Sequence, residues 1–477
     1  MPHQGNILSV FALLAWIPIS FWGARRWPAA KATALLLLGA ILFLPEKVAF
    51  KFPGLPEFGK TQIAIFWISV AVMAFHGHRA RTVPLNRTLK ILLAFLVLGP
   101  AVTVFLNGDV VSMGSVTLPA HTPHDVVHVV SGTLFEAGLP FVLGAAMFRG
   151  ADDLRVLFRA MVGAALLYSL FQLVELVLSP QLHRWIYGFH PHDFVQMMRG
   201  GGYRPMVFMG HALAVSMFTF QAALASTALH RLKVSVFRLR AWWATAWLMV
   251  MLVLTKSVAP FVYGMVAVPL GLFTSPKIQV RVAAVLAVFA LSYPVIRAAD
   301  LIPIEQIGEF AEQQWGEDRA GSLMFRFENE DALLERSRER IWFGWGIYCR
   351  GCIFEPWSGS LVSIFDGEWI VALNSFGIVG FLGRFGILVF PVLFCWRRLG
   401  RVQGEGSRIL LANLALLLGF SAVNLLPNSS NFIPFVLSGA LYGSTHGSLV
   451  HSARLRSKKR AMRLAAIRQS QGGPATA

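Results

Sequence analysis

Arg204, Lys256, Arg326, Arg340, Trp345 and Asp366 are the residues whose types and settings could do chemistry in this chain. Arginine and lysine hold phosphoryl oxygens, arginine bidentately; a carboxylate takes up a proton; a tryptophan offers a flat apolar face. Arg204 follows three glycines in GGGYRPM, Gly200 to Gly202, a stretch kept where backbone turns tightly or approaches something closely. It stands at the lip of an apolar run that opens at Val207, so it either snorkels to lipid headgroups or binds a ligand. Lys256 lies in Thr255-Lys256-Ser257 between two short apolar runs. A lysine near bilayer depth is costly unless it meets an anion, faces water or reaches the interface.

Arg326 and Arg340 belong to an expected helix from about Leu323 to Trp342, where Arg336 and Arg338 alternate with Glu328, Glu330, Glu335 and Glu339. Pairing of Arg336 with Glu339, or of Arg326 with Glu330, explains such a cluster at about 0.2–0.5 kcal/mol per pair. Phe343-Gly344-Trp345-Gly346 then ends the helix in aromatic-rich chain suited to a sugar or lipid. Asp366 opens the next apolar run as Asp366-Gly367-Glu368-Trp369. The helix dipole favours two acids there, and a carboxylate at a water–membrane boundary is also placed to accept a proton.

Other polar residues carry weaker signals. Cys349 and Cys352 form C-x-x-C, readable as a local disulfide in an oxidising compartment or as half of a zinc site that lacks two ligands. His121, His124 and His128 lie beside one end of the fifth run, His124 and His128 on one helix face as a metal pair would be, and His183, His190, His192 and His211 lie near other outer loops; without an H-E-x-x-H pattern interfacial histidines are the default. Glu136 sits inside an apolar run and Glu175 near the end of another; mid-membrane carboxylates are functional candidates by cost alone.

The elements that must position these residues follow from composition. Of 477 residues, 56% are hydrophobic and 14% charged, and the mean hydropathy is +0.60; soluble domains carry about 25% charged residues. Apolar runs fall at 7–22, 32–45, 61–75, 89–106, 126–148, 156–178, 207–229, 240–255, 258–273, 280–296, 367–396, 408–425 and 431–446. They predict an all-α polytopic membrane protein with about 12–13 transmembrane helices. The first run lacks a basic start and a small-residue cleavage site, so it reads as a retained helix.

Alternate connections, with the tail, hold 27 Lys/Arg against 7 in the intervening short ones. By the positive-inside rule the N-terminus is periplasmic and the C-terminus cytoplasmic. The net charge of +18 thus reads as a stripe facing anionic lipid, not as a nucleic-acid surface. Residues 1–450 form the transmembrane domain with one large helical periplasmic loop, 297–365, and 451–477 a basic tail expected to be unstructured. No polar stretch is long enough for a separate catalytic domain, and no repeat, P-loop or Rossmann fingerprint occurs.

The order of these features resembles the O-antigen ligase and O-antigen polymerase superfamily of bacterial envelope polysaccharide enzymes. The resemblance covers about residues 200–425: GGGYRPMVFMGHALA with Arg204, the Thr-Lys-Ser turn, RFENEDALLERSRERIWFGWG with Arg326, then DGEWIVALNSFGIVG. It implies that Arg204 and Arg326 hold the diphosphate of an undecaprenyl-diphosphate-linked glycan at the outer face of the inner membrane. The family commonly has His-Asn where this chain has Asp366-Gly367, which leaves Asp366 to act as base, since carboxylates serve glycosyl transfer.

The expected activity is glycan transfer or polymerisation from that donor to a glycan or lipid acceptor, with Asp366 and Arg326 catalytic and Arg204, Lys256, Arg340 and Trp345 binding substrate. No metal or cofactor is demanded. A transporter or flippase of a lipid-linked or anionic substrate is the rival, kept open by Glu136 and Glu175.

Overall fold

The computed structural model describes residues 5–51, 57–80, 83, 85–199, 201–429 and 431–471. The chain runs α1 (Ile7–Arg26), α2 (Ala29–Phe43), α3 (Lys60–Ala80), α4 (Arg87–Leu106), α5 (Asp125–Thr133), a π turn (Leu134–Gly138), α6 (Leu139–Met147), α7 (Ala151–Leu178) and α8 (Leu182–Tyr187). It continues through α9 (Ala212–Arg231), α10 (Ala241–Leu254), α11 (Val258–Phe273), α12 (Pro276–Ala298), α13 (Ile304–Trp315), α14 (Glu317–Arg338), α15 (Glu368–Arg398), α16 (Glu405–Asn424) and α17 (Ile433–Gln471). Four two-stranded hairpins lie in the connections: β1–β2 (Ala49–Phe50, Phe58–Gly59), β3–β4 (Val111–Met113, Val116–Leu118), β5–β6 (Met198–Arg199, Gly202–Tyr203) and β7–β8 (Ser235–Val236, Leu239–Arg240).

Each of the thirteen apolar runs falls on helix. Among the described residues, nine helices are long and apolar enough to cross a membrane, since about 20 residues at 1.5 Å rise are needed. α2, α10 and α11 hold 15, 14 and 16 residues and fall short of that length. The thirteenth run opens α17, which continues through the basic segment from 451 to Gln471 where an unstructured tail was expected. Arg, Lys, Ala and Leu are good helix formers, and prolonging a helix needs no new nucleus. Residues 472–477 lie outside the described ones.

α9 is the most enclosed of the spanning helices, with 89% of its apolar window buried. α6 and α17 pack closely because Gly439, Gly443 and Gly447 recur every four residues, and a Cβ at any of them would overlap the backbone of Phe141, Ala145 or Arg149. Small-residue stripes of this kind let helix backbones approach within lipid. α15 is broken at Gly377, whose φ of 64° favours glycine. The turn at 341–342 inserts there, Ile341 and Trp342 accepting from the amides of Ile378 at 2.8 Å and Val379 at 3.2 Å.

The arginine-rich helix α14 spans Glu317–Arg338 rather than Leu323–Trp342, and beyond it the carbonyls of Ile341 and Trp342 bond to α15.

Candidate functional site

A cavity of about 640 Å³ opens at the end of the bundle where the starts of α3, α9, α15 and α17 meet the end of α16. Arg326, from α14, and Asp366, two residues before α15, both line it, with Arg326 Nε 3.3 Å from Asp366 Oδ2. Two elements 40 positions apart in sequence thus deliver one ion pair, each member somewhat over 40% exposed. Gly367 is required beside it, because a Cβ there would overlap the Leu426 carbonyl. The Glu368 amide fixes the same approach by donating to the Leu425 carbonyl at 3.0 Å. Arg326 therefore does not pair with Glu330, as helix spacing allowed; Glu330 meets Arg297 Nε at 3.4 Å.

Polar groups surround the pair. Lys60, 6% exposed, bridges Glu46 at 2.8 Å and donates to the Phe208 carbonyl at 3.2 Å. Asn424 and Asn428 line the opposite wall, tied by the Asn428 amide to the Asn424 carbonyl at 3.1 Å. His211 caps α9, its Nδ1 accepting from the Leu213 amide at 2.9 Å, which leaves Nε2 as the protonated nitrogen. Burial first, then the positive charge of His192, Arg204 and Arg326, pushes the His211 pKa down to about 4. The ring is neutral at pH 7 and lies within electrostatic reach of both arginines.

Arg204 stands behind this wall on hairpin β5–β6, where Met198 pairs with Tyr203 and the Arg204 amide donates to the Met197 carbonyl at 2.8 Å. Gly201, with φ 68°, turns the hairpin into β6, which begins at Gly202; Gly200 lies outside the described residues. Arg204 is 6% exposed. Its Nη2 donates to Ser257 Oγ at 2.8 Å, Ser257 accepts in turn from Ser216 Oγ at 2.7 Å, and the Arg204 Nε has no partner. Among the described residues no carboxylate pairs with this guanidinium. Burial, with a smaller push from Arg199, brings its pKa down to about 10. A buried guanidinium with no paired carboxylate is costly.

Lys256 does not line the cavity. It donates to the Arg199 carbonyl at 3.2 Å, and its ammonium lies where a Cβ on Gly202 would be, so it pins the hairpin that carries Arg204. Glu175 does the same from below: it is 1% exposed and accepts from the amides of Leu182 at 3.0 Å, Met206 at 2.8 Å and Val207 at 2.7 Å. A carboxylate that accepts from three backbone amides anchors the chain around it.

Arg340 and Trp345, expected to bind substrate, lie outside the cavity that holds Arg326 and Asp366. Trp345 is 4% exposed, with the guanidiniums of Arg336 and Arg340 over its ring at 3.6 and 4.3 Å. No face is left for a sugar. Arg340 donates to Asn107 Oδ1 at 2.5 Å and to Asp109 at 2.5 and 3.2 Å, and its hydrogen bond is the main reason the Asp109 carboxyl titrates below its usual range. Arg350, fully buried, donates to Asp109 Oδ1 at 3.0 Å and to the Pro119 carbonyl at 2.6 Å. Cys349 and Cys352 flank it and are disulfide-bonded. This second cluster ties the connection before α5 to the one after α14.

An apolar groove of about 250 Å³ shares Arg326 and Asp366 with the polar cavity and is lined by Tyr263, Tyr293, Phe325, Ile370 and Leu426. Glu330 faces it, receiving hydrogen bonds from Tyr293 Oη at 3.1 Å and Trp369 Nε1 at 3.3 Å. Burial holds the Glu330 pKa above its usual value.

Sequence reasoning missed Lys60, Glu46, the asparagines and, above all, Arg384. Arg384 lies in α15 between Glu136, 3.2 Å from both of its terminal nitrogens, and Glu368, which contacts Nε. The signal was present, since Arg384 is the one basic residue deep inside an apolar run. Its partners were not legible: sixteen residues of straight helix would put Glu368 about 24 Å away, and only the break at Gly377 brings them together.

Among the described residues, no group of three or more His, Cys, Asp or Glu is arranged to hold a metal ion. The helices define an all-helical chain of the multi-pass membrane class. In comparisons with known proteins, no family model matches it and no curated protein is significantly similar.

Proposed function

We propose that the chain is a membrane glycosyltransferase of the O-antigen ligase/polymerase type, acting at the outer face of a bacterial inner membrane on an undecaprenyl-diphosphate-linked glycan. About 12–13 helices cross the membrane in this reading, and 297–365 is periplasmic. The observation that carries it is the Arg326–Asp366 pair held in common by a polar, amide-lined cavity and an apolar groove. A polyprenyl diphosphate sugar has a chain that suits the groove, a sugar that suits the cavity and an anion between them.

The chemistry balances at this pair. The acceptor hydroxyl attacks the anomeric carbon, its proton passes to the Asp366 carboxylate, and the bond from that carbon to the diphosphate oxygen breaks. Negative charge grows on the leaving oxygen, where Arg326 stabilises it, and the buried Arg204 charge adds to the attraction. Arg340 and Trp345 take no part; Lys256 acts only through the hairpin. Arg326→Ala in the full-length chain is expected to abolish transfer, measured as release of undecaprenyl diphosphate from lipid-linked glycan of the source membrane, while the protein still inserts. Unchanged product length and yield count decisively against the proposal.

Arg384 with its two glutamates favours a second reading, a transporter of a lipid-linked or anionic substrate. Charges at membrane depth are rare and mark pathways, and broken helices often flank them.

A further inference from the structure

From the opposite end of the bundle we infer a binding site for the phosphate of one anionic phospholipid, formed by Lys233 and Arg240 with Ser235 and Trp242. α9 begins at His211 beside the Arg326–Asp366 cavity and ends at Arg231, so its 20 residues separate the two ends by about 30 Å. There, a cavity of about 750 Å³ is lined by His230, Lys233, Ser235, Arg240 and Trp242, with Val234 and Ala241. No carboxylate is among these residues. Lys233 and Arg240 are exposed and no ion pair or side-chain hydrogen bond occupies either among the described residues, in contrast to Arg326 and Arg340. Ser235 pairs with Arg240 across hairpin β7–β8, which puts a hydroxyl and a guanidinium side by side. Two cations and a hydroxyl around one open volume are the chemistry of phosphate recognition.

The surroundings decide between a lipid and a free anion. The hairpin turns through Phe237 and Arg238, both with positive φ, 50° and 65°, and leans on α7, where a Cβ on Gly163 would touch Phe237 at 3.3 Å. Gly163 lies 12 residues into α7, so the hairpin lies against the side of a candidate spanning helix while Phe237 and Leu239 stay 60% and 49% exposed. Trp242 and Trp243 stack at 3.8 Å; tryptophans concentrate at headgroup depth. Below them, Trp243, Trp247, Val250 and Leu254 are 55%, 38%, 50% and 37% exposed and recur at spacings of four, three and four along α10. That is one continuous apolar stripe about 16 Å long, the depth of one leaflet. Phosphate at Lys233 and Arg240 with an acyl chain along this stripe satisfies both features at once; a free phosphate uses only the first.

The test uses the full chain in detergent, titrated with phosphatidylglycerol, phosphatidylcholine or inorganic phosphate. Binding is read by the thermal unfolding midpoint and by lipid retained in native mass spectrometry. Phosphatidylglycerol is expected to saturate with one lipid retained per chain, and to bind at least tenfold more tightly than phosphatidylcholine. Lys233→Gln with Arg240→Gln should weaken it at least tenfold, Lys233→Gln alone by several-fold, and Arg238→Gln, outside the cavity, should leave it unchanged. Equal binding of the two lipids overturns the inference. So does an equal loss in Arg238→Gln, which means diffuse attraction to a basic surface, or full stabilisation by inorganic phosphate, which means a free-anion site.

Discussion

Replacing Arg204 by methionine should make the protein more stable and less active. Arg204 is 6% exposed, and Ser257 alone hydrogen-bonds its side chain among the described residues. Burial brings its pKa from the ordinary 12.5 to about 10; at about 1.4 kcal/mol per pH unit, keeping it charged costs the folded state roughly 3 kcal/mol. Because the folded-state value is the lower one, that cost is present in full at neutral pH and is relieved only as pH rises through about 10. Methionine fills similar volume without charge and forfeits one hydrogen bond, about 1 kcal/mol. Arg204→Met should therefore gain about 2 kcal/mol in reversible unfolding in detergent at pH 7. In the same assay, inorganic diphosphate should stabilise the wild type and do nothing for the variant. A variant that loses 2 kcal/mol or more, with the diphosphate response intact, would show that Arg204 is a structural residue and sink the anion-site argument.

Three other outcomes are open to measurement. His183 is fully buried, with Nδ1–H bonded to the Phe189 carbonyl at 2.9 Å and Nε2 accepting from the Glu46 amide at 3.3 Å; burial pushes its pKa down to about 4. Its contribution, up to about 3 kcal/mol, is whole above pH 6.5 and is lost as pH falls toward 4, so His183→Gln should flatten unfolding free energy against pH in that window. Gly377→Ala forces a Cβ onto the Trp342 backbone at a φ of 64° and should cost about 3 kcal/mol, seen as a lowered unfolding midpoint. Glu136→Gln leaves Arg384 with Glu368 and should leave glycan transfer within about twofold; lost transport of a lipid-linked or anionic substrate with transfer intact supports the rival.

The elements were legible and their partners were not. Apolar runs located every helix that begins or crosses the bundle, because hydrophobicity acts locally and needs no knowledge of neighbours. The same reasoning marked Arg204 and Asp366, whose types are unusual beside apolar sequence, while Arg326 stood out from its charge cluster only through the family resemblance. It could not place Arg340 and Trp345, since flexible aromatic chain looks alike whether it is open to a ligand or covered by guanidiniums, as Trp345 is by Arg336 and Arg340. It passed over Lys60, Glu46 and Asn428, which are unremarkable until folding brings them to one wall.

What the amino-acid sequence determined by itself is the class: a helical, multi-pass membrane chain with few charges inside its apolar runs. Tertiary structure decided which charges meet. Arg326 chose Asp366 over Glu330 because α14 lies across the mouth of α15, and Arg384 reached Glu368 because α15 breaks at Gly377. Burial decided the rest, leaving Arg204 uncompensated and Trp345 covered, and burial depends on all the helices together.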